Sequence, residues 1–179
     1  SLAEPAIPPS AQKYLEVLRK RPEPGTIFER FYAAWMEEGS AAGLLEHLSA
    51  QAARPEAAAA AHLILALLHS HRGDDHEALA SYHAALQLEA RNASAWLECA
   101  RIEMRLLDFT SALASLEKAD AAGPLEALAL DLARLKGRVL LRLERNEEAL
   151  ALWHEMVRKN GDHQDLIEEI IDWFADEAQ

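Results

Sequence analysis

The sequence predicts an all-α fold, on three observations. Half of the residues are hydrophobic while only 6% are aromatic, a balance carried by Ala and Leu, which favour helix over sheet. Apolar residues recur at helical spacing, as in Phe28, Phe31, Tyr32 and Trp35. Small residues also recur at a near-constant interval, each followed four places later by a large one: Ala78 with Tyr82, Ala112 with Leu116, Ala149 with Trp153. Ala112 lies 34 residues after Ala78, and Ala149 lies 37 after Ala112. A period of that length marks a repeated helical hairpin. At 179 residues the chain is long enough to bury a core without disulfides or metals.

Pro5, Pro8 and Pro9 predict an extended start. Ser10 is the expected N-cap of a short helix that carries Tyr14, Leu15 and Leu18 and ends before Pro22, so residues 1–25 read as an extended segment and one helix. After the breaker Arg21–Gly25, Thr26 caps a second helix to Glu38 whose apolar face is Ile27, Phe28, Phe31, Tyr32 and Trp35. Gly39 and Ser40 turn the chain into a third helix with Leu44, Leu45 and Leu48, which stops before Pro55. Residues 26–56 read as one degenerate repeat hairpin.

Residues 57–161 contain three clearer units, at 57–91, 92–124 and 125–161. In the first, His62, Leu65, Ala66 and His69 lie on the leading helix, Gly73 turns the chain, Asp74 or Asp75 caps the return helix, and Ala78 with Tyr82 follows. The third has Gly137, then Asn146 as a cap, then Ala149 and Trp153. Its longer interval places extra residues near Ala121–Pro124 or in the following helix, most easily at a surface turn. Small residues at Ala66, Ala78, Ala100, Ala112, Gly137 and Ala149 let paired helices approach, and Tyr82, Leu116 and Trp153 fill the space beside them. The last helix, Asp162 to Ala178, places Leu166, Ile167, Ile170, Ile171 and Phe174 on one side and acids on the other. Residues 162–179 read as a cap or as the start of a truncated repeat, and the apolar width, Trp173 included, favours the latter.

The middle unit carries the sharpest motif: Trp96, then Cys99, Ala100 and Glu103, then Ala112, Leu116 and Pro124. The order W-x2-L-G-x2-Y, A-x3-F, P is that of the tetratricopeptide repeat, which this stretch resembles. The Trp, Ala and Pro slots are filled as expected, whereas Cys99 and Ala100 stand for Leu-Gly, Glu103 for the aromatic and Leu116 for Phe. The resemblance extends over Ala57–Gly161. It implies a right-handed superhelix of antiparallel helix pairs, an α-solenoid in which the first helix of each pair lines a concave groove that family members use to bind peptides.

To that groove the resemblance assigns Leu63, Leu67, Ser70 and His71 from the first unit, Leu97, Arg101, Met104 and Arg105 from the second, and Arg134, Arg138, Leu141 and Arg142 from the third. Five of the 18 Lys and Arg residues thus map to one wall of a chain whose net charge is -12, a local field opposite in sign to the whole. The implied partner is a protein segment with hydrophobic anchors for Leu63 and Leu67 and with acids for the arginines, since guanidinium forks pair bidentately with carboxylates. Arg134 and Arg138 resemble the basic pair with which some family members clamp a chaperone's acidic C-terminal tail. Leu63, Leu67 and Arg101 depart from that clamp, so its ligand does not carry over. A structural reading competes: Glu168, Asp172 and Asp176 occupy the equivalent positions of the last helix and can pair with Arg134, Arg138 and Arg142 as a register-fixing ladder. Arg101 and Arg105 are then the better ligand candidates.

The acidic balance argues against nonspecific binding to nucleic acid or anionic membrane. The longest apolar run, Ala57–Leu68, is interrupted by His62 and falls short of the ~20 residues of a membrane span, so none is expected. There is no nucleophile elbow and no phosphate-cradling glycine loop, so neither catalysis nor a cofactor is expected. Cys99, in a core slot, reads as a small hydrophobe rather than a nucleophile. His69, His71 and His76 with Asp74 and Asp75 straddle a helix end and a turn, which disfavours the convergence a metal requires. Arg72-Gly73-Asp74 reads as turn chemistry, and Asn92 as an N-cap rather than a glycosylation site. The expected function is a non-catalytic protein–protein interaction module, part of a larger protein, that binds a partner segment in the groove. The alternative is a structural array segment that self-associates through its C-terminal helix, with the groove internally paired.

Overall fold

The computed structural model describes residues 6–123 and 126–160, with Ile167, Glu168, Ile171, Asp172 and Ala175 beyond them. Among the described residues all regular structure is α-helix. The chain divides into two compact units, Ser1–Ala90 and Arg91–Gln179.

The first unit contains α1 (Pro9–Lys20), α2 (Thr26–Glu38), α3 (Ala41–Ala52), α4 (Ala59–Arg72) and α5 (Asp75–Leu88). Here α1 packs chiefly on α2, α3 on α4 and α4 on α5, and α1 also reaches α4. Ser10 is not the cap of α1. Pro8 precedes the helix and Pro9 opens it with φ already preset, which leaves the Ser10 hydroxyl inside the first turn to donate to the Ala34 carbonyl of α2 at 3.2 Å. Thr26 is the first residue of α2 rather than its cap, which is Gly25 at φ +126°. Ser40 caps α3 by accepting from the Gly43 N–H at 3.1 Å, and the Trp35 indole N–H donates to the Ser40 carbonyl at 3.2 Å. The core joins Leu15 and Leu18 of α1, Phe31 and Trp35 of α2, Leu44 and Leu48 of α3, and Ile64 and Leu68 of α4. Residues separated by a third of the chain therefore share one apolar interior.

The second unit contains α6 (Ala93–Arg105), α7 (Phe109–Ala121), α8 (Glu126–Arg142) and α9 (Asn146–Asn160). Consecutive helices pack on one another, and α6 also touches α8. Asn92 caps α6 by accepting from the Ala95 N–H at 3.0 Å, and Asp108 caps α7 by accepting from the Ser111 N–H at 3.1 Å. Asn146 is the first helical residue of α9, one place later than a cap. Ile167, Glu168, Ile171, Asp172 and Ala175 are helical; Leu166, Ile170, Trp173, Phe174 and Asp176 of the expected last helix lie outside the described residues.

The periodicity in sequence has a counterpart in backbone detail. Gly73, Leu107 and Glu144, separated by 34 and 37 residues, each adopt a left-handed conformation, with φ of 77°, 62° and 59°. After each one the next amide reaches back over the turn, from Asp74 to the His69 carbonyl, Asp108 to Glu103 and Arg145 to Leu140, all at 2.9 Å. This is the Schellman closure of a helix C-terminus. Ala78, Ala112 and Ala149 are each fully buried, as are Ala66 and Ala100. Gly137 faces the Trp153 indole so closely that an added Cβ would overlap the ring.

Candidate functional site

Helices α6 and α8 touch one another, and the turns that follow them contain the left-handed residues Leu107 and Glu144. Between α6 and α8 is a cleft of about 430 Å³ lined by Arg101, Met104 and Arg105 of α6, Leu107 of the following turn, Phe109 at the start of α7, and Leu135, Arg138 and Arg142 of α8. Five residues expected in a binding groove, Arg101, Met104, Arg105, Arg138 and Arg142, are thus brought together. Spacing of three and four along α6 and of four along α8 puts them on facing helix stripes.

The four guanidinium groups differ in surroundings. Arg101 is tethered: its Nε lies 3.5 Å from Glu98 and an Nη 3.4 Å from Asp131 of α8, so it also ties the two walls together. Burial pushes the Glu98 carboxyl up, and the positive charges of Arg101 and Arg105 act in the opposite direction. Arg142 places its guanidinium carbon 5.9 Å from the Phe109 ring centre, a cation–π contact across one end of the cleft. Arg138 is exposed and, among the described residues, makes no ion pair. The cleft can therefore offer guanidinium donors around a floor of Met104, Phe109 and Leu135.

Other expected groove residues lie elsewhere. Arg134 is outside the cleft lining, with Nη1 3.7 Å from Asp131 on its own helix. Leu97 and Leu141 are buried, at 3% and 8% exposure. Leu63 and Leu67 belong to the first unit and are each 3% exposed, so they are core residues rather than an open apolar wall. The cause for Leu67 is the N-terminal helix pair, whose Leu15, Leu18, Phe28 and Phe31 share its cluster. One turn on, His71 packs against Tyr32 and Phe28, with ring centres 4.3 and 5.7 Å apart, and its Nδ1 is 3.5 Å from Glu29. Of the expected Arg–carboxylate ladder, Asp176 lies outside the described residues.

Three cleft residues escaped the sequence reading: Leu107, Phe109 and Leu135. A signal existed for Leu107, which stands where the first unit has the turn glycine Gly73 and is 73% exposed. A large aliphatic residue in a left-handed, solvent-facing position is unfavourable for folding alone. The histidine string separates as its chain path requires: His69 Nδ1 lies 3.6 Å from Asp74, while His71 turns to α2. Among the described residues no group of three or more His, Cys, Asp or Glu is placed to hold a metal, and no helix is long and apolar enough to cross a membrane. Cys99 is fully buried, and burial, followed by the negative charges of Glu103 and Glu98, pushes its thiol up to about 12.

In-phase helix pairs, left-handed Schellman turns and buried small-residue slots define an all-α helical-repeat fold of the tetratricopeptide type. Solved structures share it. Two crystal structures of MamA are similar to this chain with TM-scores of 0.62 and 0.61, each at 16% sequence identity. The first alignment covers 84% of this chain and 86% of the MamA chain, the second 83% and 80%. No protein-family model and no curated protein matches the sequence.

Proposed function

We propose that the chain is a non-catalytic protein-interaction module of the tetratricopeptide-repeat family, and that the arginine-lined cleft of the second unit is where it holds a partner segment. The observation that carries this reading is the convergence of Arg101, Arg105, Arg138 and Arg142 on an apolar floor, in a chain that is otherwise strongly acidic. The fitting partner presents an aromatic or aliphatic anchor for Met104, Phe109 and Leu135, flanked by carboxylates. The helical-repeat fold, shared with MamA, supports a scaffold role.

The test is partner capture with a photoreactive side chain at Met104, comparing the native chain with an Arg105→Glu/Arg138→Glu variant. These two arginines are preferred to Arg101, whose pairing with Asp131 supports the fold. Crosslinks from position 104 that disappear in the variant support the cleft; equal recovery by both chains rejects it.

A second reading, self-association, is favoured by one observation. Leu150, Trp153, His154 and Val157 of α9 together with Ile167 and Ile171 form an open apolar hollow of about 240 Å³, with Leu150 and Ile171 42% and 60% exposed. Sedimentation that changes with concentration, and no longer does so in an Ile171→Asp variant, would move the interaction site to that face.

A further inference from the structure

The first unit holds a separate concavity that owes nothing to the arginine cleft. Between α1, α3 and α4 lies a cavity of about 310 Å³, inside the size range of small-molecule sites. Its apolar walls are Leu15, Leu48, Ile64 and the alanines that lead into α4. Alanine at Ala57, Ala58, Ala60 and Ala61 is what keeps the space open, since larger aliphatics there would fill it. The polar side of the cavity is cationic: Arg19 from α1 and Arg54 from the α3–α4 loop line it, against one carboxylate, Glu56. Arg19 makes no ion pair among the described residues. His47 also lines it, 3% exposed and with its ring centre 5.3 Å from that of Trp35, so that wall is rigid. The α4 helix begins at this cavity with Ala58 at the N-cap and no side-chain cap, which adds the positive end of a helix dipole to the local field.

We propose that this cavity binds a small aliphatic carboxylate, its acid group held by Arg19 and Arg54 and its hydrocarbon body by Leu15, Leu48 and Ile64. A bare inorganic anion would leave those apolar walls without a partner, and a neutral hydrocarbon would leave the Arg19 guanidinium without a counter-charge. The same chemistry is offered by a free carboxylic acid and by the chain end of a peptide with an aliphatic last residue.

Calorimetric titration of the full chain separates these cases. Hexanoate stands for the free acid, N-acetyl-leucine for the peptide end, and hexanamide removes the charge while keeping the body. The expected result is saturable binding of at least one carboxylate, about tenfold or more tighter than hexanamide; the tighter of the two carboxylates identifies the source. Arg19→Gln weakens it by a similar factor, and Ala60→Leu abolishes it by filling the cavity, with helical circular dichroism retained. Should Ala60→Leu fail to fold, Ala57→Leu, which lies before the helix, occupies the same space. Absence of saturable binding by both carboxylates, equal binding of hexanamide, or undiminished binding by Arg19→Gln overturns the proposal.

Discussion

Glu103 stands where the tetratricopeptide pattern has an aromatic residue, and it is buried to 6% exposure. It accepts a hydrogen bond from Ser115, while Oε2 has no partner among the described residues. Burial raises its carboxyl above the ordinary range, and neighbouring Asp108 adds to the rise, against Ser115 and Lys118. A carboxyl raised on folding contributes stability that is fully present below its unfolded pKa and is lost as pH rises through the folded value. Glu103→Gln removes the charge while keeping the shape. It should stabilise the protein by about 1 kcal/mol at pH 7 and by less at pH 4, as read from urea midpoints; an equal shift at both pH values would show that titration is not the cause. Gly137 makes the opposite case, because an alanine there must displace the Trp153 indole. Gly137→Ala should cost about 2 kcal/mol in the same assay. Both slots were legible from the repeat motif. Their states were not, since the motif locates a position and says nothing of what a misfit residue meets there.

At the scale of helices and turns, the most revealing feature is the left-handed residue that closes α4, α6 and α8. Glycine takes it at Gly73 without strain, whereas Leu107 and Glu144 adopt it against steric preference. Leu107→Gly relieves that strain and loses little packing, because the side chain is 73% exposed; the gain, offset by glycine's greater unfolded-state entropy, should be about 0.5 kcal/mol. The same variant should bind the cleft partner more weakly, since Leu107 lines it. A more stable protein with reduced affinity is the expected pair of readings by thermal melting and titration, and unchanged affinity would remove Leu107 from the site. The cap at Asn92 was readable because a polar side chain before an apolar run leaves few other roles, whereas Ser40, read only as part of a turn, proves to cap α3 as well. Ser10 misled, since Pro8 and Pro9 start the helix by fixing the backbone and free the hydroxyl for α2.

For the whole molecule, the repeat phase placed Arg101 with its equivalent Arg138, and Arg105 with its equivalent Arg142, along one cleft beside Met104, although Leu141, the equivalent of Met104, is buried instead. It misjudged Leu67, whose burial comes from Phe28, Phe31 and other N-terminal side chains far away in the chain, a contact no local pattern encodes. On an acidic partner of the kind proposed, the net charge of -12 and the arginine cleft would act over different distances. Repulsion from the whole chain reaches roughly 30 Å in 0.01 M salt and about 8 Å in 0.15 M, while contact pairing in the cleft is screened less. Raising salt over that range should therefore speed association and also speed dissociation, as measured by surface plasmon resonance. Association that slows steeply with salt would mean the partner senses the cleft before the rest of the protein. Such measurements benefit from the burial of the lone thiol: with Cys99 enclosed and held protonated at neutral pH, a maleimide dye has nothing native to attack. A single cysteine introduced at Leu107 can then be labelled on its own, placing a fluorophore at the cleft mouth without first mutating the interior.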